Sequence, residues 1–125
     1  FMPGPITLIL NKKPNILLHI NRTGTEKDNK VAIRLASSEV LIKLIQKLGC
    51  PIFLTSANKS GNQVCKSLDE IETNLASLDG ILEGNVSLGQ ASTIIDCTNN
   101  MYKIEREGPI SLENINEELK LYKNK

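Results

Sequence analysis

Apolar residues fall in short runs parted by polar stretches, and the spacing inside each run predicts its element. Residues 6–10 are apolar and partly β-branched behind the turn Pro3-Gly4-Pro5, and read as a strand. Residues 16–20 read as a second strand, with His19 inside it as a core or edge residue, since metal and catalytic roles need a partner constellation that is not found. Residues 21–30 are polar and read as an exposed loop. Residues 31–35 then read as a buried strand interrupted by one cation, Arg34. A guanidinium there snorkels to water, pairs with a structural carboxylate, or waits for a ligand carboxylate or phosphate.

Ser37 and Ser38 are N-cap candidates for a helix whose Val40, Leu41, Leu44, Ile45 and Leu48 repeat at three- and four-residue steps, and Gly49 closes it. The expectation is that this stripe lies on the sheet and returns the chain to a strand at residues 52–54, Ile-Phe-Leu, buried on both faces. The sequence then turns small and polar, placing Thr55, Ser56, Asn58 and Ser60 beyond that strand's carboxyl end, where open α/β sheets gather ligands. The same residues also make ordinary turns by bonding their own backbone. Ser67 to Glu70 form a capping box for a second helix with Leu68, Ile71 and Leu75 on one face. Further expectations are a short strand at residues 81–82, a strand at 91–96 entered through hydroxyls, and a hairpin arm at 101–104 followed by Arg106. A last helix capped by Ser111 turns Leu112, Ile115, Leu119 and Tyr122 inward.

Composition narrows the picture without naming a function. The 125 residues suit one domain, and 15 basic against 14 acidic residues leave a net charge of +1, so any basic site must be local. Three cysteines without CxxC spacing indicate neither a disulfide framework nor a zinc site, and read as reduced thiols of a cytoplasmic protein. No secretory leader is recognised, and no apolar run approaches the roughly 20 residues that span a bilayer, so the expectation is a soluble chain away from the membrane.

Several stretches together are more specific. Pro3-Gly4-Pro5-Ile6-Thr7, Val31-Ala32-Ile33-Arg34-Leu35, Thr55-Ser56-Ala57-Asn58-Lys59-Ser60-Gly61, Ser92-Thr93-Ile94-Ile95-Asp96 and Arg106-Glu107-Gly108-Pro109-Ile110-Ser111 resemble, in order and spacing, the YrdC-like family. The resemblance implies an α/β fold, a twisted mixed sheet with flanking helices around a positively charged cavity. It also implies threonylcarbamoyl-AMP synthesis from L-threonine, bicarbonate and ATP with Mg²⁺, for threonylcarbamoyladenosine in tRNA.

By position, Arg34, Ser56 and Ser92 match residues on the threonine side, and Asn58 and Arg106 match residues on the nucleotide side. Lys30 and Lys66 also fall on the nucleotide side, where the family often places Thr or Ser. Complete family members open with a Pro-Thr-Asp-Thr-x-Tyr-Gly-Leu motif and a Lys-x-Arg pair that holds phosphates. Neither occurs here, so residues 1–125 read as the C-terminal portion of such a domain, with frayed last residues. A double-stranded RNA or tRNA-binding module without catalysis, and an inactive fragment, are the alternative expectations. Tethering to tRNA-modification proteins and homodimer formation through open sheet edges complete the expected partners.

Overall fold

The computed structural model describes residues 1–14, 29–59, 61–75, 77–82, 84 and 89–123. Residues 16–20 with His19, most of the loop after them, and Ser60 lie outside the described residues. Four strands form one mixed sheet: β1 (Ile6–Asn11), β2 (Lys30–Ile33), β3 (Thr93–Asp96) and β4 (Lys103–Arg106), in the spatial order β2-β1-β3-β4. Central strands β1 and β3 are parallel, with Ile6 opposite Thr93 and Leu8 opposite Ile95. Each edge strand is antiparallel to its neighbour, and β2 is a largely exposed edge, Ile33 and Leu35 included, rather than the buried strand expected at residues 31–35, because only β1 pairs with it. Three helices complete the described elements: α1 (Glu39–Leu48), α2 (Leu68–Asn74) and α3 (Leu112–Lys123).

Side chains alternate between faces along a strand, so the pairing sorts the sheet into an apolar face and a polar one. Ile6, Leu8, Ile95 and Ile104 share the first. Ile6 and Ile95 are buried there against Ile115 of α3, with Leu8, Cys97, Ile104 and Ile110 packed around them. Each fully buried aliphatic side chain contributes about 1.5–3 kcal/mol, so these few isoleucines hold the sheet to α3.

Local signals set the helix ends as expected. The Ser38 side chain accepts from Leu41 N–H, and Gly49 takes φ of 67° while its N–H bonds the Ile45 carbonyl, an αL cap that favours glycine. Ser67 accepts from Glu70 N–H at 3.2 Å, while the Glu70 carboxylate reaches back to Lys66 N–H at 2.8 Å. Ser111 accepts from Asn114 N–H at 3.1 Å at the start of α3.

Long-range packing departs from the sequence in several places. Residues 51–56 form no strand, and Phe53 and Leu54 stay 69% and 67% exposed. An apolar run signals a preference for burial, but a strand also needs a neighbour whose N–H and C=O groups it meets, and residues 51–56 pair with neither edge strand of the described sheet, β2 or β4. The α1 stripe is likewise not laid on the sheet: α1 has no buried residue, and Val40, Leu44 and Leu48 are exposed. Residues 81–82 form no strand either. In α3 only Ile115 is buried, while Leu112, Leu119 and Tyr122 are exposed, because the four-stranded sheet offers α3 little more than the strip around Ile6 and Ile95. The hairpin arm after β3 is displaced by two residues, to Lys103–Arg106, leaving Met101 outside it. Among the described residues, no helix is long and apolar enough to cross a membrane, and Cys50, Cys65 and Cys97 are free thiols.

Candidate functional site

The polar face of the sheet is built by register. Thr7 lies opposite Ile94, and Ile94 opposite Arg106. One step beyond the Leu8–Ile33 pair, Arg34 comes level with Thr7. Arg34, Thr7, Ile94 and Arg106 therefore make one row across four strands, spanning roughly 14 Å at the usual interstrand spacing. Ser92, two residues before Ile94, belongs to the same face.

A bulge aims Arg106. Ile104 and Arg106 are two apart and would ordinarily point the same way, into the core. Between Ile94 opposite Arg106 and Ile95 opposite Ile104 the register shifts by one residue, so Ile104 keeps the apolar face while Arg106 turns to the polar one. Its Nε and Nη2 donate to the Ser92 carbonyl at 3.0 and 2.9 Å, and Nη2 also approaches Ser92 Oγ at 3.4 Å. Ser92 is buried, and its Oγ lies 2.8 Å from Thr7 Oγ1.

The fully buried Thr93 holds the turn behind Arg106. Its hydroxyl donates to the Ile110 carbonyl at 2.7 Å and accepts from Gly108 N–H at 3.0 Å and Ile110 N–H at 3.1 Å, which uses its whole hydrogen-bonding capacity. Gly108 packs so closely that a Cβ would fall 2.4 Å from the Ala91 carbonyl oxygen and 2.5 Å from Thr93 N. At the other edge the Gly4 peptide is clamped: its N–H bonds the Leu35 carbonyl at 3.0 Å and its carbonyl accepts from Arg34 Nε at 3.1 Å. That bond fixes the Arg34 side chain through Nε and leaves the terminal amino groups of the fork uncommitted among the described residues. Among those residues, neither Arg34 nor Arg106 is paired with a carboxylate. Two planar cations with two hydroxyls between them suit an anion such as a carboxylate, carbamate or phosphate.

The other expected residues lie elsewhere. Lys30 sits at the opposite end of the sheet, bonded to Asp96 at 2.9 Å. The Thr98 hydroxyl, the Lys30 ammonium and the Thr98 N–H hold the Asp96 carboxyl down at about 2. Burial, followed by the charge of Asp96, pushes the Cys97 thiol up, which leaves it a poor nucleophile.

Asn58 and Lys66 share a cleft of about 620 Å³ with Lys59, Asn62, Glu70 and Asn74. The loop is closed by Cys65 N–H to the Ala57 carbonyl at 2.8 Å, and Gly61 supplies a φ of 84°. Asn58 Nδ2 donates to the carbonyls of Lys59 and Asn62, while its Oδ1 is buried with no partner among the described residues. Ser56 is exposed beside this loop, its carbonyl accepting from Asn58 N–H at 3.0 Å. No hydrogen bond among the described residues joins the loop to the arginine row. Sequence reasoning had Thr7 inside a motif without a role and gave none to the Gly4 carbonyl. The signal for Thr7 was present, as the one hydroxyl within the apolar run of residues 6–10.

The chain belongs to the Sua5/YciO/YrdC family, described as "Telomere recombination", whose pattern residues 1–108 match. It is 33% identical over 117 residues to the threonylcarbamoyl-AMP synthase of Bacillus subtilis, covering 92% of this chain and 33% of that protein. Its fold superposes on a crystal structure of P. abyssi Sua5 complexed with L-threonine with a TM-score of 0.80 and 32% identity, over 94% of this chain and 34% of the other. E. coli YciO shares the fold, with a TM-score of 0.68 at 24% identity, over 90% of this chain and 54% of the other. The chain thus spans about a third of the length of the Bacillus and Pyrococcus relatives. The mixed α/β sheet expected from the motifs is the fold of this family.

Proposed function

We propose that this chain supplies the threonine side of an L-threonylcarbamoyladenylate synthase, and that Arg34, Ser92 and Arg106 hold the anionic parts of the substrates. The observation that carries this reading is the row on the polar face: two arginines without carboxylate partners among the described residues, on one face with the hydroxyls of Thr7 and Ser92 between them. The relationship to threonylcarbamoyl-AMP synthases and to a Sua5 structure holding L-threonine supports it.

In this scheme the Arg34 fork, steadied by the Gly4 carbonyl, receives the threonine carboxylate in bidentate fashion. The threonine amine and bicarbonate condense to a carbamate with loss of water. A carbamate oxygen then attacks the α-phosphorus of ATP, the bond from that phosphorus to the bridging oxygen breaks, and pyrophosphate leaves. Arg106 would oppose negative charge developing on the phosphoryl oxygens, the Asn58–Lys66 cleft would take the nucleotide, and Ser56 would join the threonine side. Mg²⁺ would enter as the companion ion of the triphosphate. When bound, it offsets phosphate charge. The product would serve threonylcarbamoyladenosine formation in tRNA.

Calorimetric titration of the chain with L-threonine tests the reading. Arg34→Ala should weaken binding about tenfold or more, the scale of a lost charge-assisted hydrogen-bond pair. Binding that is undiminished in Arg34→Ala would sink the assignment.

A further inference from the structure

Thr7 has a specific consequence for Ser92, which rests on the reading above. Ser92 Oγ has two side-chain neighbours within hydrogen-bond reach among the described residues, Thr7 Oγ1 at 2.8 Å and Arg106 Nη2 at 3.4 Å. A hydroxyl carries one proton and two acceptor sites, whereas a guanidinium only donates, so the Arg106 contact necessarily takes a Ser92 lone pair. The 2.8 Å contact then has two forms. With Ser92 donating to Thr7, the serine proton is used inside the protein and its remaining lone pair would face an incoming anion. With Thr7 donating to Ser92, both lone pairs are filled and the serine O–H must point away from both partners.

We propose that Thr7 is a positioning residue which donates its hydroxyl proton to Ser92 when an anion binds, and so makes Ser92 a hydrogen-bond donor to the ligand's carboxylate oxygen. An anion selects this form because an O–H···O⁻ bond is roughly twice as strong as a neutral one, while a lone pair facing the anion is repelled. Backbone and side chain both hold the Thr7 hydroxyl in place. Thr7 lies in the inner strand β1, paired with Ile94, and its β-branched side chain is stiff at χ1. Burial of Ser92 at 6% exposure keeps water from supplying the bond that Thr7 provides.

The test is calorimetry on the 125-residue chain with two probes, L-threonine and L-threoninamide, in which a neutral amide replaces the carboxylate. Thr7→Val should weaken L-threonine about tenfold and threoninamide less than about twofold, while Thr7→Ser restores L-threonine binding to within about threefold of the parent. In a Ser92→Ala background, Thr7→Val should have no further effect, because there is no hydroxyl left to orient. Should Thr7→Val fail to fold by circular dichroism, Thr7→Cys keeps a similar shape with a weak donor and carries the same comparison. L-Threonine binding unchanged by loss of the Thr7 hydroxyl overturns the role of Thr7 and leaves the threonine site standing. Equal weakening of both probes overturns it in favour of general damage. A parent chain that binds no L-threonine removes the threonine reading and this role with it.

Discussion

Replacing Thr93 by valine isolates what holds Arg106 in place. The side chains are nearly isosteric, so the change opens no cavity and leaves the burial of Thr93 intact. It deletes three hydrogen bonds at once: the one donated to the Ile110 carbonyl and those received from Gly108 N–H and Ile110 N–H. A buried polar group left without a partner costs about 1–3 kcal/mol. Gly108 and Ile110 are only half-buried, so water recovers part of that loss, and the lower end of the range for each group gives about 3 kcal/mol in all. With a urea dependence of about 1–3 kcal/mol per molar for a small domain, the unfolding midpoint should fall by about 1–3 M. The assay is urea unfolding followed by circular dichroism, with Thr93→Ser as the control that keeps the hydroxyl and loses about one methyl group, close to 1 kcal/mol. A valine variant within about 1 kcal/mol of the parent, with serine equal or worse, would refute the argument that the hydroxyl anchors the 108–110 turn.

Two further outcomes follow from the same geometry. Phe53→Asp should change stability by no more than about 0.5 kcal/mol, since Phe53 is exposed and belongs to no strand; a loss of several kcal/mol in the same urea assay would restore the buried strand at residues 52–54. Asp96 is held at about 2 in the fold against 3.8 ordinarily, so its contribution to stability is complete above about pH 4 and is lost as pH falls towards 2. Melting temperatures between pH 2 and 5 should decline less steeply in Asp96→Asn, and an unchanged slope would show that the Lys30 and Thr98 contacts do not persist in solution.

Much was legible in the chain before any packing was known. Ser38 and Gly49 mark the ends of α1, Ser67 begins α2 and Ser111 begins α3, because caps are settled by groups within four residues of one another. The strands around Ile6, Val31 and Ile95 show in their apolar runs, and the motifs from Pro3 to Ser111 together carry the family and its fold. Arg34, Ser92 and Arg106 were singled out from the same motifs, and the register gathers them on one face.

Other features needed partners that no local pattern encodes. Residues 52–54 and the α1 stripe are as apolar as the strands that did form, yet burial requires a surface to meet, and the described sheet presents none to them. Spacing along β4 sends Arg106 and Ile104 to the same face; only pairing with β3 reveals the one-residue bulge that separates them. Lys30 and Arg34, four residues apart, end up at opposite ends of the sheet because β2 runs straight between them, one cation held by Asp96 and the other by the Gly4 carbonyl. The sequence determined which groups were present and where each element starts. Tertiary pairing, which depends on hydrogen bonds between residues up to about ninety positions apart, decided which of those groups meet.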